Sequence, residues 1–186
     1  MEQIYIEEKT FEKQNFQDNP LKRGEYEFCR FINCDFSNID LSDFKFTDCE
    51  FIECNLSMVK LTETAFRDTK FRDCKMLGLY FDSCNEFGLL FSFEDCILNN
   101  STFYKTKIKK TTFKNTQLQE TDFTECDLTG SLFDNCDLKR ATFDNTIIEK
   151  VDFRTSYNYS IDPETNRIKK AKFSVHGISG LLDKYD

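Results

Sequence analysis

Large apolar residues recur at every fifth position along most of the chain. From Phe11 to Phe81, 15 consecutive fifth positions hold Phe, Leu, Tyr or Met, and from Phe93 to Phe153 another 13 hold Phe, Leu or Ile. A small residue, usually Cys, Thr or Ser, stands two places before most of these centres. In an α-helix five residues turn through about 500°, so successive centres would move round the axis. In a flat strand an odd step reverses the face. Neither element keeps all the centres in one core.

A chain that turns a corner once in every five residues does keep them together. The centre and its small neighbour point inward on a short extended piece, and the other residues form the corner, where polar pairs such as Asp134-Asn135 suit turns. Four corners close a square, so one coil takes four repeats, and Phe11, Phe31, Phe51 and Phe71 then stack on one another. The pattern predicts an all-β solenoid of about seven coils, separated by about 4.8 Å.

The repeat changes register in the middle of the chain. Phe81 and Phe93 lie 12 positions apart, and Glu86 falls where an apolar centre is expected. Two interpretations are open. The extra residues are an insertion whose apolar side chains pack inward, or they form a projecting contact loop on a rigid scaffold, made of Glu86, Phe87, Leu89 and Leu90. We predict a solenoid over residues 1–156 with a register break at 82–92, followed by a C-terminal segment at 157–186.

The C-terminal segment no longer follows the repeat. Its first part, 157–166, is typical of an extended, hairpin-like piece with a turn. From Ser174, a candidate N-cap, apolar residues recur at a spacing typical of an amphipathic α-helix, although Gly177 and Gly180 weaken that prediction. These residues are Val175, Ile178, Leu181, Leu182 and Tyr185. The helix would cover the open edge of the last coil, form a homodimer interface, or do both.

The cysteines and the overall composition restrict the function. There are nine Cys, an odd number, and each stands two places before a fifth position. This argues against disulfides or a metal site and favours reduced Cys as buried filler, so no metal or other cofactor is expected. No apolar run is long enough for a membrane span, and the start of the chain is not typical of a signal peptide. We therefore expect a cytoplasmic protein.

The formal net charge of −8 is unevenly distributed. This charge disfavours direct DNA binding. A basic band at 105–114 separates two acidic stretches of about one coil each. The acidic residues are Asp35, Asp40, Asp43 and Asp48 in the first stretch and Glu120, Asp122, Glu125, Asp127, Asp134 and Asp137 in the second. They form either an ordinary solvated surface or an acidic rod that occupies a DNA-binding groove.

Catalysis is not expected. The single histidine, His176, lies in the C-terminal segment, and no phosphate-binding or metalloprotease motif occurs. The many carboxylates would lie on a convex surface without a cleft that could shift their pKa values.

Two pentads, Cys126-Asp127-Leu128-Thr129-Gly130 and Cys136-Asp137-Leu138-Lys139-Arg140, resemble the A(D/N)Lxx consensus of the pentapeptide-repeat family. The resemblance implies a right-handed quadrilateral β-helix. The chain length, the mid-chain irregularity and the tail at 161–168 are similar to the Qnr-like quinolone-resistance and microcin-immunity group. That similarity implies a dimer joined at its C-terminal ends, which binds DNA gyrase or topoisomerase IV and relieves poisoning by quinolones or peptide toxins. The alternative is a passive scaffold or a binding module for another protein.

Overall fold

A computed structural model describes residues 4–185 of the chain. Strands of successive coils pair in parallel and in register. Phe11 pairs with Phe31, and Phe31 pairs with Phe51, each 20 residues further on. This geometry confirms the predicted right-handed quadrilateral β-helix.

Two of the four sides carry regular sheets. The four-stranded sheet contains β1 (Ile4–Glu7), β3 (Gly24–Glu27), β5 (Lys45–Thr47) and β7 (Ala65–Arg67), in that order. The seven-stranded sheet contains β2 (Thr10–Glu12), β4 (Arg30–Ile32), β6 (Glu50–Ile52), β8 (Thr69–Arg72), β9 (Phe91–Glu94), β10 (Thr112–Lys114) and β11 (Leu132–Asp134). The other two sides are held by isolated bridges such as Asp35 to Asn55 and Asp40 to Lys60.

The fifth-position residues form the core. They are buried from Tyr26 to Phe81 and again from Phe93 to Phe153. One column of rings runs along the seven-stranded sheet and comprises Phe11, Phe31, Phe51, Phe71, Phe93, Phe113, Phe133, Phe153 and Phe173. Burial of each such side chain contributes about 1.5–3 kcal/mol of transfer free energy, so the stack is the main source of stability.

The small residues before the centres have a specific role. Most of their side chains donate to the carbonyl group of a centre in the preceding coil. The Thr64 hydroxyl donates to Leu41 O at 2.8 Å, the Cys54 thiol to Phe31 O at 3.3 Å, and the Ser156 hydroxyl to Phe133 O at 2.8 Å. Cys, Ser and Thr recur at this position because each is small and can donate one hydrogen bond. All nine cysteines are free and buried, as predicted.

The corners use left-handed backbone conformations. The residue two places after a centre has a positive φ, as at Asn33 (53°), Asp43 (64°) and Gly130 (73°). Asn, Asp and Gly tolerate this conformation better than other residues. The corner N–H is also used, since Asn33 N donates to Ile52 O of the next coil at 2.8 Å. The polar corners of the sequence pattern therefore follow from backbone geometry.

The register break is a two-residue insertion within one coil. Across it Phe71 pairs with Phe93, 22 residues further on, and the stack then continues. Glu86 is exposed, so the expected centre is missing from the core. Phe91 occupies a small-residue position but is buried, with its ring 5.3 Å from Phe81 and 5.0 Å from Phe93. Its ring supplies apolar volume that a regular centre would have provided.

The stacking continues past residue 156. Arg167 N donates to Thr146 O at 3.0 Å, and Lys172 N donates to Val151 O at 2.9 Å. Part of the segment at 157–186 therefore adds to the solenoid, and the boundary predicted at 156 lies inside the stack.

The end of the chain is helical, but its turns are 3-10 rather than α. The 3-10 helices span Val175–Leu181 and Asp183–Tyr185, and another short one lies at Phe81–Ser83. The Ser174 side chain accepts from Gly177 N, which confirms Ser174 as the N-cap. The two glycines of this segment lie directly against Tyr159. A Cβ on Gly177 would lie 1.9 Å from Tyr159 Oη, and one on Gly180 would lie 2.0 Å from Tyr159 O. None of the helices within residues 4–185 is long and apolar enough to cross a membrane.

Candidate partner-binding surfaces

The insertion forms an anchored loop, which we call the contact loop (Glu86, Phe87, Leu89 and Leu90). At its start the Asn85 side chain donates to Glu63 Oε2 at 3.0 Å and accepts from Phe87 N at 3.1 Å. At its end Leu90 N donates to Phe66 O at 3.0 Å. Gly88 lies between these anchors with a φ of 71°. The loop is thus tied to the preceding coil at both ends.

The apolar residues of the contact loop divide between the core and solvent. Leu89 is half-buried and packs against the core, whereas the Phe87 side chain is 79% exposed and Leu90 is 41% exposed. The Arg67 guanidinium lies 5.5 Å from the centre of the Phe87 ring, and its Nε donates to Phe87 O at 3.5 Å. The insertion therefore combines the two alternatives given by the sequence. Leu89 packs inward, as in a tolerated insertion, whereas Phe87 and Leu90 project, as in a contact loop.

The acidic residues do not gather on one face. Asp134 lies in β11, and Asp127 lies on the side that bridges Lys107 to Ile147. Asp35 and Asp137 lie on a third side, and Asp40 and Asp122 on the fourth. The remaining residues occupy corners with positive φ and are Asp43, Asp48, Glu120 and Glu125. The two acidic stretches are therefore bands around the rod.

Half of these carboxylates form ion pairs, mostly with a residue one coil away. The pairs are Asp40–Lys60 at 3.2 Å, Asp43–Arg23 at 3.2 Å, Glu120–Arg140 at 3.3 Å, Glu125–Lys105 at 3.5 Å and Asp127–Lys109 at 3.1 Å. Within residues 4–185 the other carboxylates make no ion pair, and they are Asp35, Asp48, Asp122, Asp134 and Asp137. Each band therefore contains carboxylates whose charge is not balanced by an ion pair.

Asp127 shows how neighbouring groups on the surface keep one of these carboxylates ionised. Partial burial opposes its ionisation, but hydrogen bonds from the Thr129 hydroxyl at 2.6 Å and the Thr129 amide at 3.1 Å, together with the Lys109 ammonium, hold the pKa of this carboxyl below its usual value. The side chain is therefore ionised near neutral pH.

The predicted residues of the C-terminal helix have two environments. Leu181 packs against the core together with Phe173 and Tyr159, so it covers the last coil. The other four are exposed, with exposed fractions of 81% for Val175, 46% for Ile178, 51% for Leu182 and 66% for Tyr185. Lys184 fixes this end by pairing with Asp162 and Glu164, each at 2.7 Å. An apolar surface therefore remains on the outside of the cap.

His176 is exposed beside an open cleft of about 560 Å³ that Lys139, Tyr157 and Asp183 also line. Within the described part of the chain, no three His, Cys, Asp or Glu residues are arranged to hold a metal ion. What the geometry offers is a rigid rod with an anchored loop on one side and an apolar cap at one end.

These features define a β-solenoid protein whose regular scaffold carries an exposed loop and an apolar cap. The model of the pentapeptide repeat region matches residues 25–92 and 90–158. The chain belongs to the pentapeptide-repeat family. A search of curated proteins found no match.

Solved structures share the fold across nearly the whole chain. Two trypsin-treated variants of QnrB1, described as a plasmid-mediated fluoroquinolone resistance protein, are 16% and 17% identical to this chain, with TM-scores of 0.58 and 0.59. Each alignment covers 98% of this chain and 96% of the other. The chain is therefore similar in fold to these two QnrB1 variants over 98% of its length.

Proposed function

We propose that this protein is a non-catalytic acidic rod that binds DNA gyrase or topoisomerase IV and protects the enzyme from quinolones or a peptide toxin. The observation that carries the proposal is the anchored contact loop with its exposed Phe87 on an otherwise regular acidic rod. Binding residues commonly lie on loops that a rigid scaffold positions. The fold shared with a fluoroquinolone resistance protein supports the choice of target.

In this proposal the acidic bands partly imitate DNA. The carboxylates without ion pairs attract a basic groove on the enzyme and guide the rod into it. Asp35 and Asp137 point outward from one side of the rod near its two ends, so they provide charge at both ends of a long contact. The contact loop then binds directly to the protein surface beside the groove.

The proposed active form is a homodimer joined through the cap. Val175, Ile178 and Leu182 are exposed apolar residues at the end of the rod, and exposed patches of this kind mark interfaces. Two rods joined end to end would present a longer acidic surface than one. Sedimentation of the wild type and of Val175→Glu/Ile178→Glu tests this point, and a wild-type monomer at micromolar concentration would refute it.

A supercoiling assay tests the function as a whole. Gyrase is incubated with relaxed plasmid and a quinolone, with increasing amounts of the protein. We expect the wild type to restore supercoiling at micromolar concentration and Phe87→Ala to restore much less, because the ring is a large exposed contact.

The matched control is Tyr80→Ala, which removes another exposed ring, 61% exposed, on a different side of the rod. Equal loss of protection by both variants would show that the effect is not specific to the contact loop, and full protection by Phe87→Ala would show that the contact lies elsewhere. If the wild type neither protects nor inhibits gyrase at micromolar concentration, the result contradicts the proposal for gyrase and favours the alternative of a passive scaffold or a binding module for another protein.

A further inference from the structure

The contact loop lies at an interruption in one side of the solenoid. The four-stranded sheet ends at β7, where Ala65 pairs with Lys45 of the preceding coil. On the far side of the loop, Lys107 pairs with Asp127 of the following coil. Within residues 4–185 no strand or bridge joins the loop to Lys107. The regular ladder of this side therefore opens at the loop.

The following coil places Lys107, Lys109 and Lys110 on the same side as the loop. Stacked rings on both flanks of the loop fix this alignment. The ring of Phe81, which precedes the loop, has its centre 4.5 Å from that of Phe103, and the ring of Phe93, which follows the loop, has its centre 5.2 Å from that of Phe113. All three lysines are exposed.

Positive charge therefore lies on both sides of the exposed Phe87 ring, in a group that we call the basic strip (Arg67, Lys107, Lys109 and Lys110). Arg67 contacts the ring directly from the preceding coil. Lys109 pairs with Asp127, but Lys107 and Lys110 make no ion pair among the described residues. The strip thus groups basic side chains on a chain whose formal net charge is −8.

We infer that the contact loop and the basic strip form one docking surface for an acidic protein segment that carries an apolar side chain. Phe87 and Leu90 would contact the apolar side chain, and Lys107 and Lys110 would pair with its carboxylates. An apolar centre with a charged rim is typical of protein interfaces. The inference rests on the proposed function and extends it. It assigns this side of the rod to an acidic surface of the partner, whereas the proposed function assigns the acidic bands to a basic groove.

The surroundings favour a protein segment over a nucleic acid. Asp127 lies beside Lys107 in the next coil, and Asp68 and Glu86 lie on the other side of the strip. A phosphate backbone carries charge at every step of about 3.4 Å per strand and would meet these carboxylates. A peptide can place a few carboxylates opposite the lysines and an apolar residue opposite Phe87.

The first experiment does not depend on gyrase. Fluorescence anisotropy measures binding of a short labelled peptide of glutamates and leucines to the wild type, to Lys107→Glu/Lys110→Glu and to Phe87→Ala. We expect the wild type to bind in low salt and each variant to bind about tenfold more weakly. The matched control, Lys13→Glu/Lys75→Glu, makes the same charge change at exposed lysines away from the loop and should bind like the wild type.

The inference is overturned if the wild type does not bind the peptide, or if the two double variants bind it equally. It is also overturned if a labelled DNA duplex binds the wild type and loses binding in Lys107→Glu/Lys110→Glu, because the strip would then bind phosphates. A separate measurement with gyrase distinguishes the two proposals. If gyrase binds the wild type and Lys107→Glu/Lys110→Glu with equal affinity, the proposed function stands and the assignment of the strip fails.

Discussion

Replacing Phe113 by alanine tests whether the ring column stabilises the rod. Phe113 is fully buried, and its ring stacks at 5.2 Å on Phe93 and at 4.7 Å on Phe133. It also meets Phe103 and Phe123 edge-on, at 6.0 and 6.1 Å. Phe113→Ala removes all these contacts and leaves a cavity that the hydrogen-bonded coils cannot close.

The expected loss in the free energy of unfolding is about 3–5 kcal/mol, the range for a phenylalanine truncated in a packed core. Each aromatic pair contributes about 0.5–1.5 kcal/mol beyond the burial of its surface. Because Phe113 takes part in several such pairs, we expect a loss in the free energy of unfolding near the upper end of the range of about 3–5 kcal/mol. Urea unfolding followed by far-ultraviolet circular dichroism measures it.

Phe87→Ala is the matched control, because the same atoms are removed from a ring that is 79% exposed. It should change the free energy of unfolding by less than about 1 kcal/mol. If Phe113→Ala does not fold, Phe113→Leu keeps most of the volume and should cost about 1.5 kcal/mol. A loss below about 1 kcal/mol for Phe113→Ala, or equal losses for Phe113→Ala and Phe87→Ala, would refute the role of the column.

Three further predictions concern other parts of the rod. Thr64→Val removes the hydroxyl that donates to Leu41 O and should cost about 1–3 kcal/mol in urea unfolding, whereas Thr62→Val at an exposed position should cost almost nothing. Gly180→Ala forces a Cβ against Tyr159 O, so a thermal melt should show a lower Tm than wild type, and an unchanged Tm would contradict the packing of the cap. Burial raises the pKa of Cys49, Cys126 and Cys136 to about 12, so the folded state keeps these protons above pH 9 while the unfolded state loses them. Stability should therefore fall as pH rises from about 9 to about 12, and replacing all three by Ser should reduce the slope.

The sequence predicted the solenoid because its rule is local. Each pentad carries its own centre, small residue and corner, so positions such as Phe113 and Phe133 could be assigned without knowledge of the rest of the chain. The burial of the small residues could also be predicted from the sequence. Their hydrogen bonds to the preceding coil could not, because these bonds depend on how the coils stack.

The surfaces were less predictable. The ion pairs of Asp40 with Lys60 and of Glu120 with Arg140 join residues 20 positions apart, so the period of the coil was a usable signal for them. Burial of Phe91 could not be predicted, because it depends on where the two inserted residues leave the coil. The close approach of Gly177 and Gly180 to Tyr159 depends on how the tail packs against the last coil, which spacing alone does not encode.

Because the coils have a constant cross-section, the number of coils alone sets the length of the rod. From Phe93 to Phe153 the corresponding residues follow one another every 20 positions, so removing one whole turn leaves the same neighbours in contact. The distance between the contact loop and the cap can then change only in steps of about 4.8 Å. A version with one coil fewer or one coil more would keep the contact loop and the cap intact but change the distance between them. The distance that a partner requires could then be found from the number of coils in the versions that still bind.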